Sequence, residues 1–290
     1  NTSFNPYKQT FTLVAPDGAT TFNSSLAQVQ LLMNNVATQG IIYGTQCGAS
    51  ILMAALLLLM TRRDKRRSWV FTFNTSALVF DAIRSILQCA QLNGAFYNFY
   101  NFEAVFYTGP QVKAAQQVSV CAALFTFFTI ICIEISLVLQ VHIICVTMTR
   151  ARRTLVTVCG IVVAAMAIGF RFALVVINAD QTINIGQSSV QKLKYLNWIA
   201  SSANITLVTS IAFFSLIFCT KLAYAIMSRH KLGMKQFGPM QIIFVMGCQT
   251  LIIPLIFAVI TYYCVPNTQI NSFVSTIVAI FLPLSGMWAS

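Results

Sequence analysis

Charge is what this chain has least of. Only 8% of its 290 residues are Asp, Glu, Lys or Arg, and just six of those are acidic. No paired-carboxylate motif can be drawn from so few acids, and the two histidines, His142 and His230, form no cluster. A glycine-rich phosphate loop is also missing, so the sequence offers no acid, base, nucleophile or metal set for catalysis. Nine cysteines are present, yet none follows a CxxC or Cys/His spacing. They fall inside or at the ends of apolar runs, which reads as membrane-embedded thiols rather than disulfides or a metal site. Neither a cofactor nor a metal is expected. The last apolar run contains no lysine, which excludes a retinal Schiff base there. The second half does not echo the first, which weakens the case for a repeat-built transporter.

What fills the space left by charge is hydrocarbon. Hydrophobic residues make up 57% of the chain, and mean hydropathy is +0.76. A soluble domain of this length does not carry such values. Apolar runs of roughly 20 residues recur, each long enough to cross ~30 Å of bilayer core. Seven helices are predicted, over 36–60, 68–92, 116–146, 154–178, 195–226, 240–264 and 271–289. The expected fold is all-α: a polytopic seven-transmembrane bundle over 36–290, preceded by a polar segment, 1–35. The net charge of +12 does not point to nucleic acid, because basic residues sit at helix ends rather than on one folded face. Twelve lie in or beside the loops after the first, third and fifth spans, against four on the other side. This alternation places the N-terminus outside and the C-terminus in the cytosol. The sequons at Asn1 and Asn23 then lie outside and read as glycosylation sites, whereas those at Asn74 and Asn204 fall in apolar runs and are discarded. The chain starts without methionine and stops straight after an apolar run, so further native residues are expected at both ends.

Polar residues inside the spans carry the next signal, because they are rare there and usually functional. Asn74, Asp81, Arg84 and Gln88 fall within roughly 80° of helical arc at 100° per residue. Such a stripe must face other helices or a wet cavity. Asp81 and Arg84, three apart, can neutralise each other. Thr126, Thr129, Ser136 and Gln140 make a second stripe on the third span, with Glu134 pointing elsewhere. The sixth span holds Gln249, an amide needing partners in hydrocarbon, and Pro254, which removes a backbone donor and bends a helix. An amide and a kink in one crossing suggest a pivot above a basic foot. Gly44 and Gly48 form a GxxxG that lets backbones approach, within the chain or between two copies. The aromatic loop at 93–115 either lies at the membrane interface or covers a ligand.

KLGMKQF at 231–237, MGCQTLIIP at 246–254, IEISLVLQ at 133–140 and LPLSGMWA at 282–289 resemble the fungal α-factor-type mating-pheromone receptors, a class of G-protein-coupled receptor. DGATTF at 17–22 and GTQCG in the first span fit the same pattern, so the resemblance runs from about Phe4 to Ser290. It implies a plasma-membrane receptor that binds a secreted peptide pheromone and activates a heterotrimeric G protein. It assigns Gly44 and Gly48 to a homodimer contact. Asn74, Gln140, Gln249 and Pro254, with Pro283 and Ser285, are assigned to an activation switch. Ligand contact falls to Gln46, Asn197 and Tyr262. Family members can carry arginine at the Gln46 position and histidine at the Arg84 position, which implies that the basic partner for the peptide has moved to Arg84. Asn267, Thr268 and Asn271 stand where an acidic residue is expected, so the pocket chemistry departs from the family there. The basic residues Arg150, Arg152, Arg229, Lys231 and Lys235 are the expected G-protein contact. The competing class is a small-solute transporter or channel, which would show an internal repeat or a broken helix pair.

Overall fold

The structure is a computed structural model that describes residues 5–185, 190–231, 256 and 271–288. It is mostly helical, and five of its helices are long and apolar enough to cross a membrane. These are α1 (Leu26–Met60), α2 (Trp69–Leu92), α3 (Pro110–Ile144), α4 (Arg150–Ile183) and α5 (Val190–Lys231). A further helix, α6 (Asn271–Trp288), corresponds to the seventh expected span. The sixth expected span lies outside the described residues, apart from Ile256.

The main difference from expectation is at the N-terminal side. The polar leader contains an antiparallel hairpin, β1 (Thr10–Val14) paired with β2 (Thr21–Ser25), so the fold is not purely helical. Its turn is local chemistry: Gly18 adopts φ +70, and Asp17 Oδ1 accepts from the Ala19 and Thr20 amides. The Thr20 hydroxyl donates to Asp17 Oδ2 at 2.6 Å. These hydrogen bonds, led by that hydroxyl, hold the Asp17 carboxyl below its ordinary range.

β2 runs directly into α1. Ser25 is the N-cap; its hydroxyl accepts from the Gln28 amide, and its own amide donates to Gln28 Oε1 at 2.7 Å. This reciprocal capping box starts the helix at Leu26, ten residues before the expected membrane boundary. Pro110 opens α3 after Gly109, whose φ of +114 few other residues tolerate. At the opposite end of α1, the Arg66 guanidinium donates to the Thr61 and Leu58 carbonyls and closes the last turn.

α2 and α3 form the most extensive helix pair, flanked by α1 on α2 and by α4 on α3, with α5 on α4 and α6 against α1 and α2. The core is Leu78 of α2, Ile130, Ile133 and Leu137 of α3, Leu207 and Phe214 of α5, and Val274 and Val278 of α6. Gly160 permits the α4–α5 approach, since a Cβ there would sit 3.0 Å from the Phe214 ring. Many large apolar side chains elsewhere are exposed, among them Leu52, Leu59, Leu155 and Val162. This is a multi-pass membrane protein whose outer surface is made for lipid.

Candidate functional site

Two buried polar layers lie on the inward face of α2, roughly 15 Å apart at 1.5 Å per residue. The layer nearer the hairpin is centred on Arg84, which is 1% exposed. Its Nη2 is 2.9 Å from Asp81 Oδ1 and donates to Gln46 Oε1 of α1 at 2.8 Å. The guanidinium also reaches Thr276 Oγ1 at 2.9 Å and Ser275 Oγ at 3.2 Å, both on α6. Asp81 is held in turn by the Ser50 hydroxyl at 2.6 Å and the Thr276 hydroxyl at 3.2 Å. One ion pair therefore clamps α1, α2 and α6. Its burial is tolerated because the charge is compensated and both terminal nitrogens are hydrogen-bonded, while Arg84 Nε has no partner among the described residues.

The second layer lies toward the basic end. Ser136 of α3 donates to Asn74 Oδ1 of α2 and accepts from Gln140 Nε2 at 3.4 Å. Asn74 and Gln140 are thus linked through one hydroxyl. A third polar tie crosses elsewhere: Ser210 of α5 donates to Glu134 Oε2 of α3 at 2.6 Å, and Glu134 is fully buried.

One turn from the clamp toward the hairpin, a cavity of about 350 Å³ opens between α1, α2, α3 and α4. Tyr43, Gln88, Ser119, Arg171 and Asn178 contribute its polar lining, with Tyr97 of the 93–109 loop at its rim. That loop is tied down. The Tyr97 hydroxyl donates to Gln39 Oε1 of α1, and burial pushes its phenol up, keeping it a neutral donor. Tyr100 donates to the Val14 carbonyl, and Phe99 packs on Phe11 at 6.0 Å. The aromatic loop therefore fastens hairpin and α1 above the cavity.

The expected site residues divide accordingly. Gln46 and Arg84 meet directly. Asn74 and Gln140 meet through Ser136. Asp81 and Arg84 pair as their spacing suggested. The α3 stripe divides: Thr126 and Thr129 donate to the Ala122 and Phe125 carbonyls of their own helix. Asn197 is exposed on α5, away from the clamp. Gly44 and Gly48 are exposed, with nothing within 4 Å of a Cβ built on either, so they pack against no described helix. Arg150 and Arg152 are exposed at the start of α4. Arg229, Lys231, Asn271 and Ser285 lie on described helical backbone, and Pro283 is buried inside α6. Gln249, Pro254, Tyr262, Lys235, Asn267 and Asn1 lie outside the described residues. Sequence reading missed Ser50, Ser275 and Thr276, ordinary hydroxyls with no signal of their own. It also missed Arg171, whose signal was plain: a lone cation in the fourth apolar run.

The sequence profile described as the fungal pheromone mating factor STE2 GPCR matches residues 4–290. The chain belongs to this family. It is 32% identical over 301 residues to the pheromone alpha factor receptor of Saccharomyces cerevisiae, covering 99% of this chain and 65% of that protein. The pheromone alpha factor receptor of Lachancea kluyveri is 28% identical, over 99% of this chain and 66% of that protein. The pheromone P-factor receptor of Schizosaccharomyces pombe is 27% identical, over 87% and 72% respectively. The chain thus spans about two thirds of the length of these relatives.

Proposed function

We propose that this chain is the membrane domain of a seven-helix receptor for a secreted peptide pheromone, acting on a heterotrimeric G protein from the plasma membrane. The observation that carries the reading is the family match over 4–290, because it spans both the cavity and the two polar layers. Charge bias puts the hairpin end outside and the basic end in the cytosol. A peptide entering from the hairpin side meets the cavity first and the Arg84 clamp one turn deeper.

Arg84 already has its counter-charge in Asp81, so a bound peptide acts on it by competing for, or tightening, its contacts to α1 and α6. Ligand affinity that differs between two pairings of the clamp shifts the equilibrium between them. The shift reaches the Asn74–Ser136–Gln140 layer along α2, and Gln249 and Pro254 on the sixth span complete the switch. Arg150, Arg152, Arg229, Lys231 and Lys235 then meet the G protein. Asn197, Tyr262, Asn267 and Asn271 complete the ligand contact near the outer helix ends. The exposed Gly44 and Gly48 suit a contact with a second copy, and the exposed Asn23 suits glycosylation.

Saturable binding of labelled synthetic α-factor-type peptides to the full-length receptor in nanodiscs tests the reading. One member of the panel binds, and Arg84→Glu, at matched receptor amount, weakens its potency. Absence of binding across the panel, with solute uptake by the same protein in liposomes, would establish the transporter class instead.

A further inference from the structure

Two arginines lie inside the apolar spans, and the structure treats them differently. Arg84 is paired with Asp81. Arg171 of α4 lines the cavity, and among the described residues it has neither a hydrogen bond nor an acidic partner. An uncompensated guanidinium within a membrane span is costly and is kept where it has a task. Its neighbours are unsatisfied too. Gln88 Oε1 is buried without a partner, and the side chains of Ser119 and Asn178 make no hydrogen bond among the described residues. The Arg171 guanidinium therefore lines a cavity of about 350 Å³ together with the Asn178 amide and the Ser119 hydroxyl, while the Gln88 amide oxygen there still needs a donor. The complement of that lining is a planar anion with several acceptors. A carboxylate matches a guanidinium in bidentate geometry.

We propose that the Arg171 cavity is a carboxylate subsite, and that it takes a carboxylate of the peptide ligand. The proposal rests on the receptor reading above. The Asn178 amide donates to the same oxygens and orients the group, while Tyr97 at the rim sets how far the chain can descend. The carboxylate then lies one turn from the Arg84 clamp, which gives an anion entering the cavity a direct electrostatic hold on the α1–α2–α6 contacts.

The test uses the full-length receptor in nanodiscs and an α-factor-type peptide that binds it. The peptide is made with every carboxyl free, and then with the C-terminus and each acidic side chain amidated in turn. Amidating the carboxyl that enters the cavity weakens wild-type binding roughly tenfold or more. Arg171→Gln weakens the free-acid peptide by a similar factor but not the critical amide. Arg171→Lys recovers part of the affinity for the acid, which shows that the site folds and needs charge. Which amide is critical separates a C-terminal from a side-chain source. If Arg171→Gln and Arg171→Lys leave the acid-to-amide ratio as in wild type, the subsite is overturned while the receptor reading stands. If no peptide binds the wild-type receptor, the receptor reading falls and this subsite with it.

Discussion

At the scale of single residues, the two buried polar layers lead to different predictions. Asp81→Asn keeps the side chain's shape but leaves the Arg84 guanidinium without a counter-charge in an interior where it is 1% exposed. Loss of one partner from a buried pair costs about 3–5 kcal/mol. The thermal midpoint of the purified receptor is therefore expected to fall sharply, and further than in Gln46→Ala. Ser136→Ala acts otherwise. An interhelical hydrogen bond in a membrane is worth ~0.6 kcal/mol on average, so its effect on the midpoint is small. It cuts the only described link between Asn74 and Gln140, so ligand-free nucleotide exchange on the G protein is expected to rise. Unchanged basal exchange would place the restraint elsewhere. Helical spacing made Asp81 with Arg84 legible in the sequence. Gln46 with Arg84, 38 positions apart, could be placed together only by the packing of α1 on α2.

At the scale of elements, apolar runs located the membrane crossings but not the helix ends. α1 has 35 residues, about 52 Å at 1.5 Å each, and so outruns the hydrocarbon core. Its extension from Leu26 mixes glutamine and asparagine with apolar residues, and its start is set by the Ser25–Gln28 box. Ser25→Ala is expected to cost about 1 kcal/mol, read as faster amide exchange over the first turn of α1. The hairpin escaped notice because its strands are short and lean on Phe99 and Tyr100, more than 80 residues away from the Phe11 and Val14 they meet. Its turn responds to acid. Because the Asp17 carboxyl is held below its ordinary range, its contribution is present above that range and is lost as pH falls through the depressed value. Amide protection at Ala19 and Thr20 should hold at neutral pH and disappear in strong acid. Protection that is indifferent to acid would remove the carboxylate from the account.

At the scale of the molecule, the chain is a lipid-facing bundle with a clamp, a cavity and a basic end, and only the clamp and the basic end were partly legible beforehand. Composition alone was enough for the membrane class, and motif order was enough for the family. The cavity was not legible, because it is lined by four helices and a loop whose relative positions no local pattern encodes. The proposed pivot at Pro254 adds a global expectation. Pro254→Leu is expected to raise ligand-free signalling, which basal reporter output in cells would register. The most direct test of the whole account is GDP–GTP exchange on a purified fungal heterotrimeric G protein, with the full-length receptor in nanodiscs and one peptide added at a time. The account predicts exchange stimulated by one α-factor-type peptide in a saturable, dose-dependent manner. No stimulation by any peptide, with the G protein shown to be active, would contradict it.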